Sequence, residues 1–436
     1  MREDWDYRKI GDFLKTGAGG TPLKRHKEFY EGGNIPWLLS GEVGKKEIIC
    51  AENYITEEGL NNSSAKLFPK NTVLVAMYGA TAGETGILRF EATTNQAVCG
   101  ILPNTKIISE FLYFCLLSKK DELIAQATGN AQPNISQIKI KNTEIPIPPL
   151  PEQQRIVEIL DEAFEAIDQA KANVERNIQN AEELFQSKLN EVFSQRGEGW
   201  EETTLGKMCS VLNGYAFKSK EAIDSSNTQL LRMGNLYQNN LDLERRPVFY
   251  PDSYAEEYEK FVLSEGDLIM SLTGTVDKRD YGYTVEIPET DVTLLLNQRI
   301  MKIIIDKPDL INKSFLKGYL LSPFFLDKLY GTASGTRQAN LSSQKIMKLP
   351  FYYPTDIEAQ KKIVRVIQSL KEVTNSIVLN NKKRLSDIEE LKKSILQEAF
   401  SGALTGGEPG FAGLQDAQDG MVTKAAEPEV EYNAEG

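Results

Sequence analysis

The sequence has one histidine, four cysteines and three tryptophans in 436 residues. His26 alone cannot build a His-Glu-x-x-His zinc site, and a single histidine argues against a histidine-based catalytic triad. Cys50, Cys99, Cys115 and Cys209 are scattered, with no Cys-x-x-Cys pair, which fits reduced thiols of a cytoplasmic protein. No apolar run approaches the roughly 18–20 residues that cross a bilayer. The charged start Met1-Arg2-Glu3-Asp4 is not followed by the apolar stretch of a signal peptide. The expectation is a cytoplasmic chain with no membrane partner and no metal site.

Other catalytic signatures are missing too. Gly79-Ala80-Thr81-Ala82-Gly83-Glu84-Thr85 has the glycines of a phosphate loop, but Glu84 stands where a lysine must meet phosphate charge. It reads as a glycine-rich turn after a strand. Gly17-Ala18-Gly19-Gly20 lacks the preceding strand and following helix of a dinucleotide fingerprint. No Asn-Pro-Pro-Tyr or Asp-Pro-Pro-Tyr tetrapeptide of base-flipping methyltransferases is present, and no Pro-Asp with a nuclease-spaced Glu-x-Lys. The chain reads as a binder, with no catalytic residues.

The net charge of −12 is unevenly placed. Residues 401–436 hold one basic and seven acidic side chains, and residues 151–196 hold five basic and ten acidic. Residues 1–150 hold 17 of each sign. The acidity therefore belongs to one helix and a tail, and it does not oppose binding of a polyanion elsewhere.

What the sequence does have is a second copy of itself. Trp5, Ile10 and Gly11 recur as Trp200, Leu205 and Gly206, 195 positions later. The run ending at Gly79 recurs as the run ending at Gly274. Gly129, Gln132, Asn134 and Ile135 return as Gly335, Gln338, Asn340 and Leu341. Leu184, Ser187, Phe193 and Ser194 match Leu391, Ser394, Phe400 and Ser401, now 207 positions apart. Two related units of about 200 residues follow.

Each unit ends in a long amphipathic stretch. Between 153 and 196 there is neither proline nor glycine, and Ile156, Leu160, Ile167, Val174 and Phe185 fall on one helical stripe. Ile363, Ile367, Leu370, Ile377, Leu391 and Ile395 repeat the pattern over 360–401. Pro148, Pro149 and Pro151 precede the first helix and Pro354 the second. Helices of about 44 residues would run roughly 66 Å. Stripes that long predict an antiparallel pair, because a globular domain returns the chain between them.

The globular parts read as α+β. Residues 71–76 and 268–272 predict buried strands. Residues 109–127 predict a helix capped by Ser109, and 314–330 its counterpart, broken at Ser322-Pro323. Polar loops follow at 129–136 and 334–342. Beyond 401 the composition predicts a disordered tail.

Reading DNA needs cations for phosphates and planar hydrogen-bonding groups for base edges. Candidates in the first unit are Thr21, Lys24, Arg25, Lys27, Ser40, Lys45, Lys46, Tyr78, Thr81 and Gln132, with Lys119-Lys120 nearby. In the second they are Lys218, Lys220, Arg232, Thr275, Lys278, Arg279 and Arg337, with Arg245-Arg246. Trp37 and Trp200 read as packing residues, and Lys382-Lys383-Arg384 as a solvated helix face.

The motifs carry a family resemblance. Gly20-Thr21-Pro22 leads to Asn34-Ile35-Pro36-Trp37 and Ser40-Gly41-Glu42, and Tyr78-Gly79-Ala80-Thr81-Ala82-Gly83 follows. The hinge Ile145-Pro146-Ile147-Pro148-Pro149-Leu150-Pro151-Glu152-Gln153-Gln154-Arg155 is the most specific motif. Gly274-Thr275, Leu296-Asn297-Gln298-Arg299 and Gly335-Thr336-Arg337-Gln338 are looser matches in the second half. Over about residues 5–401 the chain resembles the specificity subunits of Type I restriction-modification systems.

The resemblance implies an α+β fold: two tandem target-recognition domains separated by a long antiparallel two-helix coiled coil, in a pseudo-twofold repeat. Its segments would be recognition domains at 1–150 and 197–359, spacer helices at 151–196 and 360–401, and an acidic tail at 402–436. Each domain would read half of a bipartite site in double-stranded DNA. Two modification subunits would dock on the helices, with restriction subunits outside them. S-adenosylmethionine, ATP and magnesium would belong to those partners and not to this chain. The alternative is a coiled-coil scaffold whose tandem domains bind proteins without DNA specificity.

Overall fold

The aliphatic run expected to form a strand does so at Val73–Ala76, buried along its whole length. In the computed structural model, which describes residues 5–126 and 134–406, it lies at the centre of a five-stranded sheet. The strands run in the order Thr16–Ala18, Val98–Ile101, Val73–Ala76, Thr85–Leu88 and Glu47–Ile48. Pairing is antiparallel except at the last, parallel pair. Full burial explains why Val73–Ala76 reads as an unbroken aliphatic run with no alternation. A smaller sheet sets Ile35–Leu38 between Tyr54–Ile55 and Thr93–Thr94, the latter in parallel. Asp6–Lys9 pairs with Glu144–Ile147, bringing the start of the domain to the strand that leads into the first long helix.

The second copy repeats this plan. Cys209–Asn213, Ile300–Ile305, Leu268–Ser271 and Thr284–Glu286 form one of its sheets in the same order. The other sheet, also of four strands, is Phe249–Tyr250, Thr228–Leu231, Thr293–Leu296 and Val262–Leu263, again with one parallel pair, here between its two central strands. Trp200–Thr204 pairs with Pro350–Pro354 as Asp6–Lys9 does with Glu144–Ile147. By contacts the chain divides into two units: residues 1–173 with 384–436, and residues 174–383.

The helices come out as expected with two adjustments. Lys313–Leu321 and Pro323–Tyr330 are separated at Ser322, whose hydroxyl accepts the Phe325 amide as the cap of the second. The expected helix from 109 is Ser109–Ser118 followed by Lys120–Ala125. Ser109 is not its cap. Ile108 holds that position, and the Ser109 hydroxyl instead donates to the Asn71 carbonyl at 2.7 Å, tying the helix to the strand beside it.

The two long helices are Leu150–Ser194 and Ile357–Ser401, 45 residues each. Proline in the first turn costs the first helix nothing, because those amides have no intrahelical partner. Asp356 caps the second by accepting the amides of Glu358 and Ala359. Within the first unit the helices run antiparallel. Lys171 meets Glu389 at 2.7 Å and Asp168 meets Lys392 at 3.6 Å, so one number rises as the other falls. Ile156, Leu160, Ile167 and Ile395 are buried there, and Leu391 is half-buried. In the second unit Val174 is buried, Phe185, Ile363, Ile367 and Leu370 are half-buried, and Ile377 is 39% exposed. Beyond Ser401 a short turn, Ala403–Gly406, places the Thr405 hydroxyl 2.7 Å from Glu152. The disordered tail expected further on lies outside the described residues.

A buried glutamine locks each hinge. Gln153 has no exposed surface; its Oε1 accepts the Ile108 amide at 2.9 Å, and its Nε2 donates to the carbonyls of Lys106 and Pro148. Gln360 does the same with the Asn312 amide and the carbonyls of Leu310 and Pro354. In each case one carboxamide joins the loop before the domain's helix to the proline-bearing strand end, so that the long helix leaves its domain in a fixed direction.

Candidate nucleic-acid interface

In the first unit several loops converge where the two sheets meet. The turn Thr94-Asn95-Gln96-Ala97 joins the parallel strand of the smaller sheet to a central strand of the larger. The Gly20 amide donates to the Thr94 carbonyl at 2.8 Å, Asn95 to Leu38 at 2.9 Å and Met77 to Ala97 at 2.7 Å. Ile135 donates to Met77 at 2.8 Å, and Asn134 bridges Tyr78. Thr21, Ser40, Tyr78 and Thr81 therefore sit on loops pinned to one junction, and the Thr21 hydroxyl donates to Gln96. Tyr78 is 39% exposed. Gln132 lies outside the described residues.

The second unit builds the same junction from different side chains. Tyr215 and Asn297 bridge in parallel, the Gln298 amide donates to the Tyr215 carbonyl at 3.0 Å, and Leu272 donates to Arg299 at 2.8 Å. Thr273–Thr275 pairs with Gln338–Asn340, and the Leu341 amide returns to Leu272. Arg232, Thr275 and Arg337 lie on these loops. Gly19 and Gly214 explain part of the glycine content. A Cβ at Gly19 would overlap the Thr94 and Asn95 carbonyls, and one at Gly214 those of Leu296 and Asn297. Only a bare backbone approaches the turn so closely.

The candidate cations divide into those that face solvent and those already engaged. Lys24, Arg25, Lys27 and Lys45 are exposed, as are Lys220, Lys278 and Arg337. Lys46 is bound to Asp161 on the first long helix and lies 5.0 Å from the Phe114 ring. Lys119 pairs with Glu122 and Lys120 with Glu84. The Arg232 guanidinium folds back onto the Arg246 carbonyl. Arg279 is 3.8 Å from Asp327 and stacks over Tyr330, and Lys218 is 3.6 Å from Glu221. Both the Thr275 amide and its hydroxyl are turned to Asp280. A lysine already neutralised by a carboxylate has less to give a phosphate, and Lys46 serves packing first.

Some ionisable groups mark structure and not chemistry. Arg89 joins Glu47, Glu110 and Asn71; its hydrogen bond to Glu47 keeps the guanidinium charged and holds the Glu47 carboxyl below its usual range. Burial pushes the Cys99 and Cys209 thiols up to about 12, so they are inert at neutral pH. Trp37 is buried with its indole donating to the Gly20 carbonyl at 3.0 Å, a packing role. Trp200 likewise packs near Phe315.

Sequence reasoning passed over three residues that the fold brings to the junctions. Gln96 was not singled out, Gln298 and Arg299 only as part of a motif. Their signal was Asn-Gln repeated between two strands, 202 positions apart.

The sequence model described as "Type I restriction modification DNA specificity domain" matches residues 2–177 and again 197–390. The chain belongs to this family. Its two matches coincide with the two copies of the sheet-and-junction plan, so it carries the specificity domain twice. The Type I restriction enzyme MjaIX specificity subunit of Methanocaldococcus jannaschii is 26% identical over 428 residues, which covers 92% of this chain and 94% of that one. Among solved structures, a chain of a type I R-M system superposes with a TM-score of 0.70 at 18% identity, over 92% of this chain and 98% of its own. The HsdS subunit from Thermoanaerobacter tengcongensis superposes with a TM-score of 0.54 at 16% identity, with the same coverage. The expected α+β fold with two recognition domains and a helical spacer is that of these specificity-family structures. No helix among the described residues is long and apolar enough to cross a membrane.

Proposed function

We propose that this specificity-family chain is the DNA-reading subunit of a Type I restriction-modification complex, acting in the cytoplasm. Each domain reads one half of a bipartite, gapped site in double-stranded DNA. The long helices fix the unread gap and dock two modification subunits, with restriction subunits added outside them. Methylation and cleavage belong to those partners, which would hold S-adenosylmethionine, ATP and magnesium.

The observation that carries this reading is the paired junction. Two copies of one scaffold present a shared glutamine, Gln96 or Gln298, among unlike neighbours, Thr21 in one and Tyr215 and Arg299 in the other, on loops braced by matching backbone hydrogen bonds. A constant scaffold with variable loops suits two readers of unlike half-sites. Exposed Lys24, Arg25, Lys27, Lys45, Lys278 and Arg337 are suited to phosphate contacts that set register. Gel-shift selection from random duplex DNA, with the modification subunits present, tests the reading. It should enrich two short blocks at fixed separation, with affinity falling steeply as salt rises. Salt-insensitive binding or no enriched block would favour a protein-binding scaffold.

A further inference from the structure

We propose that Gln96 and Gln298 are equivalent base-reading residues, one for each half-site, and that each addresses the major-groove edge of an adenine. This rests on the DNA-reading function above and names the side chains at its centre.

Both glutamines directly follow the asparagine of the same turn. Asn95 Oδ1 accepts the Ala97 amide at 3.1 Å, and Asn297 Oδ1 accepts the Arg299 amide at 3.1 Å. Each turn is closed by a backbone bond, from Val98 to Asn95 at 3.2 Å and from Ile300 to Asn297 at 2.9 Å. The asparagine is thus spent on holding the turn, and the glutamine beside it is exposed in both copies. Strands enter and leave each turn directly, so these side chains ride on a constrained part of the surface. A side chain that discriminates bases needs that rigidity, whereas phosphate contacts tolerate a mobile lysine.

A carboxamide suits one base edge in particular. Its oxygen accepts from adenine N6 while its nitrogen donates to N7, a bidentate match that no other base offers. In the first unit the Thr21 hydroxyl donates to Gln96 Oε1. That contact fixes the rotation of the amide and leaves the Nε2 hydrogens and one oxygen lone pair for a base. In the second unit no hydrogen bond holds the Gln298 side chain among the described residues, but the turn is flanked by Tyr215, 40% exposed, and by Arg299. Gly20 and Ala97 stand at the matching places in the first copy. The shared glutamine and the unlike flanks predict half-sites that both contain a read adenine but differ around it.

The test is sequence selection from random duplex DNA by the chain assembled with its modification subunits, comparing wild type, Gln96→Ala, Gln96→Glu and Gln298→Ala. Gln96→Ala should cut discrimination at one adenine position of one block about tenfold, with the other block and the gap unchanged. Gln298→Ala should do the same in the other block. Gln96→Glu should shift that position toward cytosine, whose N4 amine a carboxylate accepts, an effect that loss of a merely structural contact would not produce. Parental sites recovered at full strength by all three variants would overturn the assignment while leaving the DNA-reading function intact. A wild-type pool without a gapped site would overturn that function, and this assignment with it.

Discussion

Gln153 and Gln360 are themselves without exposed surface and each satisfies one amide and two carbonyls, so removing either carboxamide leaves three backbone groups, buried or partly buried, with fewer partners. Gln153→Leu should destabilise the first unit by about 1–3 kcal/mol in chemical denaturation, and Gln154→Ala, on the exposed side of the same turn, by no more than about 0.5 kcal/mol. Gly19→Ala should be as harmful as the hinge change, because its methyl meets two carbonyl oxygens that the sheet holds in place. These residues were visible in the sequence only as a glutamine opening each helix and a glycine-rich stretch. Periodicity locates a stripe but says nothing of a polar side chain turned inward. In the same way charge counts flagged Lys46 and Lys120 as free cations, when the fold supplies each with a carboxylate from a distant segment. What was legible at this scale was Trp37, whose neighbours are a buried strand, and the loops around Thr21, Ser40 and Tyr78.

At the scale of elements, the long helices were the most legible part of the chain, because forty-odd residues without proline or glycine leave few alternatives. Their packing was less so. Asn381 falls at a buried position of the second helix; its Nδ2 donates to the Ile377 carbonyl, and its Oδ1 has no hydrogen-bond partner among the described residues. Asn381→Leu should therefore raise stability by about 1 kcal/mol in denaturant melts, at some cost in the specificity of helix pairing. The Lys171–Glu389 contact gives a pH signature. The hydrogen bond from Lys171, helped by the charges of Lys392 and Lys393, holds the Glu389 carboxyl below 4.5. A depressed carboxyl stabilises the fold above its unfolded value and ceases to do so as pH falls through the folded one. Glu389→Gln should thus lower the melting temperature at pH 7 and converge with wild type well below pH 4.5. Ser109 shows why boundaries were harder to read: a cap residue in sequence can serve a tertiary contact in the fold, here to Asn71.

For the whole molecule, the repeat was read correctly as two related units, and the sheets share a plan while differing in strand number, five and three in the first copy against four and four in the second. The junctions were not read, since they depend on backbone bonds among loops far apart in sequence, such as Met77 to Ala97 and Asn95 to Leu38. Exchanging residues 1–150 for those of a relative should change one half-site only. Inserting four residues within 165–185, with a matching insertion in the second helix, adds about 6 Å and should lengthen the gap by about two base pairs without altering either half-site. The most direct measurement is methylation-sensitive sequencing of the host genome with and without this chain. Two short methylated blocks at one fixed separation, lost when the chain is absent, is the predicted result. A continuous motif, or a methylation pattern indifferent to the chain, would contradict the account of one scaffold carrying two readers.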